Sequence, residues 1–278
     1  MNTIKNYAIP LLLFTVFETV AITLWLSLGK LFYLFNFTYI GFFVSLGLFL
    51  YIKKVRSART IVQLAVGLYM LVYLGLICQE NMQIEGFWYY LFLGVFEVAT
   101  IHYAVAKMFG PLLFGRGWCG YACWTAMVLD FLPYKTRRAP SKKLESLRYV
   151  TFSGALLFVG ALFLLKVPGL ERVMFWSFIL GNLAYYIVGI SMAYGMKDNR
   201  AFCKYICPIA VFLKPASYFA LLRVRVQEEK CVSCGKCSRV CPMDVDVPSN
   251  ARNRTNGTEC ILCLECVSEC PKKALRLS

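Results

Sequence analysis

Hydrophobic residues form long runs, separated by short polar loops, up to residue 222. Six runs approach the roughly 20 residues that a membrane-spanning helix needs. They are residues 8–29, 36–52, 60–79, 87–108, 149–167 and 174–195. Two further apolar stretches, 110–132 and 208–222, are predicted to be re-entrant or interfacial segments packed against protein, where irregular backbone is tolerated. The pattern predicts an α-helical membrane protein with about six transmembrane helices.

The positions of Lys and Arg predict the topology. They crowd loops 53–59 and 109–148, whereas the alternate loops hold few. Because cytoplasmic loops carry an excess of Lys and Arg, we expect both termini to lie in the cytoplasm. A seventh span at 110–132 would place the cation-rich stretch 135–148 outside, which the same rule disfavours. The apolar stretch after Lys5 is too long for a cleavable signal, so the first helix is expected to remain as an anchor.

Composition divides the chain into two parts. Of its 278 residues, 59% are hydrophobic and 16% charged, against about 45–50% and 25% in soluble proteins. Residues 223–278 are ordinary in polarity and contain eight of the thirteen cysteines. We therefore expect a transmembrane helical domain at 1–222 and a small module at 223–278. The net charge of +15 does not indicate nucleic acid, because the cations sit in short loops between apolar runs.

The cysteines of the terminal module form two runs with the pattern Cys-x2-Cys-x2-Cys-x3-Cys-Pro. This pattern is typical of two-cluster ferredoxins, in which the fourth cysteine of each run ligates the other cluster. The first [4Fe–4S] cluster is then expected on Cys231, Cys234, Cys237 and Cys270, and the second on Cys241, Cys260, Cys263 and Cys266. A pair of zinc sites is the alternative, since CxxC is also a zinc spacing. The run as a whole favours iron–sulfur and a small α+β, ferredoxin-like fold.

A second cysteine pattern occurs twice, at an offset of 84 residues. Arg116-Gly-Trp-Cys-Gly-Tyr-Ala-Cys123 matches Arg200-Ala-Phe-Cys-Lys-Tyr-Ile-Cys207. Both copies face the cytoplasm in the predicted topology, which makes this a parallel repeat about an axis along the membrane normal. The spacing would place both thiols of a copy on one helical face.

Such an axis would bring the four thiols of the repeat together. We predict that Cys119, Cys123, Cys203 and Cys207 ligate one shared third [4Fe–4S] cluster. Buried structural cysteines or a transient dithiol are the alternatives. Trp118, Tyr121, Phe202 and Tyr205 would shield the cluster, while Arg116 and Arg200 would offset its negative charge.

Ionisable residues inside membrane spans are functional candidates. In the fourth run these are Glu97 and His102, which we predict to handle protons at a quinone site, because a quinol loses protons with its electrons and histidine titrates near neutral pH. A hydrogen bond inside the bundle is the alternative for both. Lys107 is close enough to the end of the run to snorkel. His102 is the single histidine, so no haem is expected.

The sequence GRGWCGYAC at 115–123, the second motif at 200–208 and the two ferredoxin runs together resemble the membrane-bound polyferredoxins. These include the NapH-type quinol dehydrogenase subunit, the NosR-type membrane domain and the CcoG-type oxidase assembly factor. The resemblance covers roughly residues 87–278. In one departure, Trp124 follows Cys123 where the family usually has proline.

The resemblance implies electron transfer between a (mena)quinone pool and a protein redox partner, which docks at the cytoplasmic face. It implies a multi-pass subunit of a larger complex in a prokaryotic cytoplasmic membrane, with its clusters on the cytoplasmic side. The CcoG type implies an alternative, an assembly or sensing factor that reduces a metal or reports redox state. A transporter with a regulatory ferredoxin domain is disfavoured, because no span is interrupted by Gly/Pro pairs.

Overall fold

The computed structural model describes residues 2–95, 100–101, 103–134, 142–252 and 255–277, without the side chains of residues 2–7, 142, 250–252, 255 and 256. The membrane part contains, in chain order, α1 (Asn2–Leu28), α2 (Leu31–Ile52), α3 (Ala58–Leu68, continued by the π-helix Tyr69–Ile77), α4 (Ile84–Leu93), the π-helix Tyr103–Phe109, α5 (Gly110–Phe114), α6 (Gly117–Tyr121), α7 (Trp124–Leu129), α8 (Lys142–Glu145), α9 (Leu147–Leu164), α10 (Leu170–Met196), α11 (Ala201–Tyr205) and α12 (Ala210–Tyr218).

Five helices among the described residues are long and apolar enough to cross a membrane. They are Ala8–Leu28, Leu31–Ile52, Ala58–Ile77, Lys143–Leu164 and Leu170–Met196. Their outer faces expose large apolar side chains, for example Leu26 at 72%, Leu157 at 71% and Leu164 at 85%. Soluble proteins rarely expose apolar side chains so extensively, whereas lipid chains solvate such faces. The protein is therefore a multi-pass membrane protein.

The fourth apolar run is not the single helix 87–108 that the sequence predicted. Helix α4 ends at Gly94, whose φ of 69° is the left-handed conformation that commonly terminates a helix. A second apolar helix, Tyr103–Phe114, follows. Helix α4 packs inside the bundle, since Phe87 stacks on Tyr103 with ring centroids 5.0 Å apart. The glycine thus splits one predicted span into two shorter helical segments.

The apolar stretch 110–132 folds as three short helices, α5 to α7, rather than as a spanning helix. The stretch 208–222 contains the nine-residue helix α12. The irregular backbone expected in both places is therefore present. Their depth relative to the lipid stays a prediction.

The terminal module contains β1 (Val224–Val226), α13 (Lys236–Arg239), α14 (Val247–Arg252), α15 (Glu265–Ser268) and β2 (Leu275–Leu277). The two strands are antiparallel, with Val224 opposite Leu277, so the first and last segments of the module pair. Its apolar core also includes Val247, Leu262 and Leu264. This is a small α+β unit.

Salt bridges fix the module against one end of the helical bundle. Arg59, in the first turn of α3, lies 3.3 Å from Glu265, and Arg148, in the first turn of α9, lies 2.9 Å from Glu259. Both arginines belong to the cation-rich segments. The predicted grouping of these segments at one end of the bundle therefore agrees with the fold, and their location in the cytoplasm stays a prediction.

Candidate metal centres

Two cavities in the terminal module are each lined by four cysteines. Cys231, Cys234, Cys237 and Cys270 line the first cavity, and Cys241, Cys260, Cys263 and Cys266 line the second. These are the two crossed sets expected from the sequence, in which the fourth cysteine of each run joins the other run. The described residues contain no group of three or more His, Cys, Asp or Glu side chains arranged to hold a single metal ion.

The backbone around both cavities fits an iron–sulfur cluster. Each run has positive φ at the residue before its second cysteine and at the residue after it: Ser233 and Gly235 in the first run, Leu262 and Leu264 in the second. Leucine is strained in this region, so the surroundings must hold these loops in place. The backbone N–H of Ala274 donates to Cys270 Sγ at 3.3 Å. Such bonds to sulfur are one of the means by which proteins tune clusters.

In the absence of metal, burial makes these thiols weaker acids than an exposed cysteine. It raises the pKa of Cys260 to about 11 and the pKa of Cys263 to about 12, from an ordinary value near 9. Iron ligation needs the thiolate, so cluster insertion must displace protons from these groups. The enclosed, apolar lining supplies the protected environment that a cluster requires.

The two copies of the repeat have the same local structure, which differs from the prediction of one helical face. Cys119 lies in α6, the chain leaves helical geometry at Ala122, and Cys123 is extended before α7 begins. In the second copy α11 likewise ends before Cys207. Pro208 explains the break in that copy, since a residue before proline avoids helical geometry. In the first copy Trp124 starts the next helix instead, and its Nε1 donates to Asn182 at 2.7 Å.

The four cysteines of the repeat meet in one cluster of side chains. Cys119 and Cys203 are buried in the same apolar core, and Cys123 and Cys207 pack against it. Burial, together with the negative charge of nearby thiolates, raises the pKa of Cys207 to about 11. The geometry therefore offers four thiols at one place, as a cubane needs. Ligation by them stays a prediction.

The motif arginines cross between the copies. Arg116 of the first copy donates to the backbone oxygen of Cys203 at 3.3 Å, and Arg200 of the second donates to the oxygen of Cys119 at 3.1 Å. Both side chains are fully buried. Interchanging the two copies turns each of these hydrogen bonds into the other. A pseudo-two-fold axis therefore runs between the cysteine pairs.

The motif aromatics have different surroundings. Phe202 belongs to the core that contains the cysteines, and Tyr205 is buried. Tyr121 instead donates its hydroxyl to Leu262 of the terminal module at 3.0 Å. Trp118 packs in a neighbouring core. Of the four aromatics, Phe202 is the one that these contacts place in the core of the thiols, and the shielding role of the set stays a prediction.

Lys107 does not snorkel, contrary to expectation. Its side chain is 2% exposed, and its Nζ lies 5.1 Å from the ring centre of Trp118, 5.3 Å from Tyr103 and 5.7 Å from Trp124. It also lies within electrostatic range of Cys119, Cys123 and Cys207. The sequence signal that could have indicated this buried position is the presence of a lysine inside an apolar run. Lys107 is a buried cation held by cation–π contacts beside the thiols.

The loop of the second module cavity packs directly on the first motif. A Cβ at Gly120 would lie 2.5 Å from the carbonyl oxygen of Ile261, so this approach requires glycine. Lys204 bridges Asp198 at 2.6 Å and Asp244 of the module at 2.5 Å. The module is therefore fixed at the motif cysteines.

Glu97 and His102 lie outside the described residues. Among the described residues, sequence reasoning missed Glu85 as a functional candidate; it is within electrostatic range of Tyr103 and Tyr185. It also missed Gln83, which is 2% exposed and whose side-chain amide has no hydrogen-bond partner among the described residues. Both are polar groups inside the bundle and join Lys107 as functional candidates.

Two family models match the chain. A 4Fe-4S dicluster domain matches residues 223–271. A 4Fe-4S binding domain matches two segments, 99–143 and 174–226, which contain the two copies of the repeat. The models thus cover all twelve cysteines of the candidate sites.

Curated relatives include an uncharacterised protein of Methanocaldococcus jannaschii, 26% identical over 88% of this chain and 94% of the relative. The protein NirI of Paracoccus denitrificans is 30% identical over 67% of this chain and 29% of the relative. The ferredoxin-type protein NapH of Haemophilus influenzae is 24% identical over 63% of this chain and 66% of the relative. No solved structure matches the chain. With its 4Fe-4S domains and apolar helices, the chain belongs to the membrane-bound polyferredoxins, a family of iron–sulfur electron-transfer proteins.

Proposed function

We propose that this protein carries electrons between a membrane quinone pool and a protein redox partner. Each [4Fe–4S] cluster, when bound, supplies one-electron redox chemistry. The first would be held by Cys231, Cys234, Cys237 and Cys270, the second by Cys241, Cys260, Cys263 and Cys266, and the third by Cys119, Cys123, Cys203 and Cys207.

The observation that carries the proposal is the contact between the three cysteine groups. The core that holds Cys119 and Cys203 also packs against Cys241 and Cys263 of the second group. A further core packs against cysteines of both the second and the first group. The groups therefore form a continuous row from the repeat to Cys234, which is exposed. A row with one buried and one exposed end suits transfer between a membrane reductant and an external protein.

The proposed quinone site adjoins the buried end of this row. Glu97 and His102 remain its proton-handling candidates, and Glu85 and the buried Gln83 add polar groups inside the bundle. Tyr103 lies within electrostatic range of Glu85 on one side and of Cys207 on the other. The cation-rich loops support a cytoplasmic location for the clusters, and the exposed first group is where a redox partner would dock.

Quinol-linked redox change in membranes tests this function. A menaquinol analogue should reduce the clusters, or the matching quinone should oxidise chemically reduced clusters, as followed by visible bleaching and electron paramagnetic resonance (EPR). Cys119→Ser should remove about four of about twelve irons, the complement of one cubane, and uncouple the remaining clusters from quinone. The control is Cys78→Ser, because Cys78 is an exposed cysteine outside the motifs. It should change neither the iron content nor the electron exchange with quinone.

Clusters that dithionite reduces but that never exchange electrons with quinone in either direction would contradict the proposal. That outcome would favour the assembly or sensing alternative. Eight irons in anaerobic wild-type protein, unchanged by Cys119→Ser, would show that the repeat cysteines hold no cluster.

A further inference from the structure

Asp130 connects two arginines on one side of the pseudo-two-fold axis. It follows α7, and its Oδ2 lies 2.5 Å from Arg200 Nη2 and 2.7 Å from Arg59 Nη1. Arg200 in turn donates to the backbone of Cys119 in the other copy. This carboxylate therefore orients the arginine that contacts the cysteine-bearing backbone.

Glu259 has the same role on the other side of the axis. It pairs with Arg116 and lies 2.9 Å from Arg148 Nη1. Arg116 donates to the backbone of Cys203. Arg148 and Arg59 are each the second residue of a long helix, α9 and α3. The two arginine–carboxylate–arginine networks thus have the same arrangement, although Arg59 and Arg148 are 89 rather than 84 residues apart and the acid has a different origin.

The repeat offset explains why the acid comes from elsewhere. Lys214 stands 84 residues after Asp130, at the equivalent position of the second copy. Its Nζ lies 3.2 Å from Glu259. The second copy therefore has a cation where the first has a carboxylate, and that cation contacts the carboxylate that replaces it. Glu259 belongs to the terminal module and directly precedes Cys260.

A carboxylate is needed here on physical grounds. The side chain of Arg116 is 0% exposed and that of Arg148 is 2% exposed. Buried guanidinium groups require an ionic partner, because an unpaired charge in a poorly solvated site is strongly disfavoured. Glu259 is that partner for both, so undocking the module would leave the two cations without it.

We infer that Glu259 is a positioning residue that completes the repeat cysteine site from the terminal module. The site is then fully ordered only when the module is docked. The second cavity is held beside it at the same time, because Cys260 follows Glu259 directly. The inference rests on the proposed third cluster for its iron readout, whereas its docking readout is independent of that cluster.

The test uses the full-length protein, purified anaerobically in detergent. Glu259→Gln should lose about four irons per chain and should speed hydrogen exchange at least tenfold in segments 116–121 and 257–264. Glu269→Gln is the matched control, because it neutralises an exposed carboxylate of the same module, paired with Lys236. It should leave both readouts unchanged.

A second variant separates the lost carboxylate from general damage. Lys214→Asp, added to Glu259→Gln, places an acid at the position equivalent to Asp130. It should return the lost iron while segment 257–264 stays fast-exchanging. Failure to return the iron would overturn the equivalence of the two acids. If Glu259→Gln does not accumulate, Glu259→Asp, which withdraws the carboxylate by one methylene from Arg116 and Arg148, should show the same changes to a smaller degree.

Wild-type iron and wild-type exchange in Glu259→Gln, or in Glu259→Asp where that is used, would overturn the inference. Equal losses in Glu269→Gln would do the same. If Cys119→Ser leaves the iron content unchanged, the third-cluster proposal fails. The exchange measurement then still decides whether Glu259 holds the module on the repeat.

Discussion

At Gly120 the backbone of the terminal module approaches the repeat so closely that a side chain has no room, so Gly120→Ala should disturb both. The added Cβ would lie 2.5 Å from the carbonyl oxygen of Ile261, whereas ordinary contact begins at 3.4 Å. The loop before Cys263 must therefore move by about 0.9 Å, and the obstacle is backbone rather than a flexible side chain. Overpacking of this kind typically costs about 1–3 kcal/mol.

A cost of that size is a factor of about 5–150 in the docking equilibrium. We expect hydrogen exchange in 257–264 to accelerate by that factor and thermal loss of cluster absorbance to occur at lower temperature. Gly154→Ala is the matched control, because a Cβ there meets nothing within 4 Å and the residue lies inside helix α9. It should be neutral or stabilise by up to about 1 kcal/mol. Indistinguishable exchange in the two variants would refute the close approach.

Three further predictions follow from topology, charge and burial. A cysteine placed at Ser141 should resist impermeant thiol reagents in intact cells, because the cation-rich loop is expected in the cytoplasm; labelling from outside would refute the topology. Lys107→Met should lower the potential of the proposed third cluster in an EPR redox titration, whereas Lys53→Met, in an exposed loop, should not. For an assumed separation of about 8 Å and an effective dielectric of about 20, a unit charge contributes roughly 2 kcal/mol, or about 90 mV for one electron. In iron-free folded protein, the rate of alkylation of Cys207 should keep rising until pH about 11. In unfolded protein, the midpoint of this pH dependence should move to about 9.0. Because the folded pKa is raised, the buried thiol contributes stability below pH 9.0 that is lost as the pH rises through 11; a midpoint near 9 in the folded protein would refute the burial.

The terminal module could be predicted from sequence because its chemistry is local. The cysteine spacing determines which thiols can surround one core, and the four-cysteine cavities contain the expected crossed sets, with Cys270 beside the first run and Cys241 beside the second. The repeat was detectable for the same reason, since its residues recur at a fixed offset. Spacing alone did not reveal that Ala122 breaks the helix between Cys119 and Cys123. Each copy therefore presents its thiols from two segments rather than one helical face.

Long-range pairing accounts for the features that sequence reasoning missed. Lys107 was predicted to snorkel because hydropathy does not reveal its aromatic partners. Trp118 and Trp124 come later in the chain and reach Lys107 only after the chain turns back. The prediction of a single span at 87–108 was wrong because hydropathy does not reveal the left-handed backbone conformation of Gly94, which ends α4. Sequence reasoning assigned no role to Glu259. Its role depends on Arg116, which is 143 residues away in the chain.

The surroundings of the repeat cysteines are less symmetric than the cysteines themselves. This asymmetry bears on the direction of electron transfer through the proposed site. The position equivalent to Lys107 is Ser191, which is exposed, so this buried lysine beside the thiols has no counterpart at the equivalent position of the second copy. The module likewise packs its loop on Gly120 of the first copy, where glycine permits close approach, whereas the second copy has Lys204 there. A two-fold arrangement of ligands would offer two equivalent routes to and from a bound cluster. These substitutions remove the equivalence: the Lys107 side adjoins the buried polar groups of the bundle, and the Gly120 side adjoins the second cavity. In the proposed site, the repeat would supply four similar ligands, and the differences between its copies would supply an entry side and an exit side for electrons.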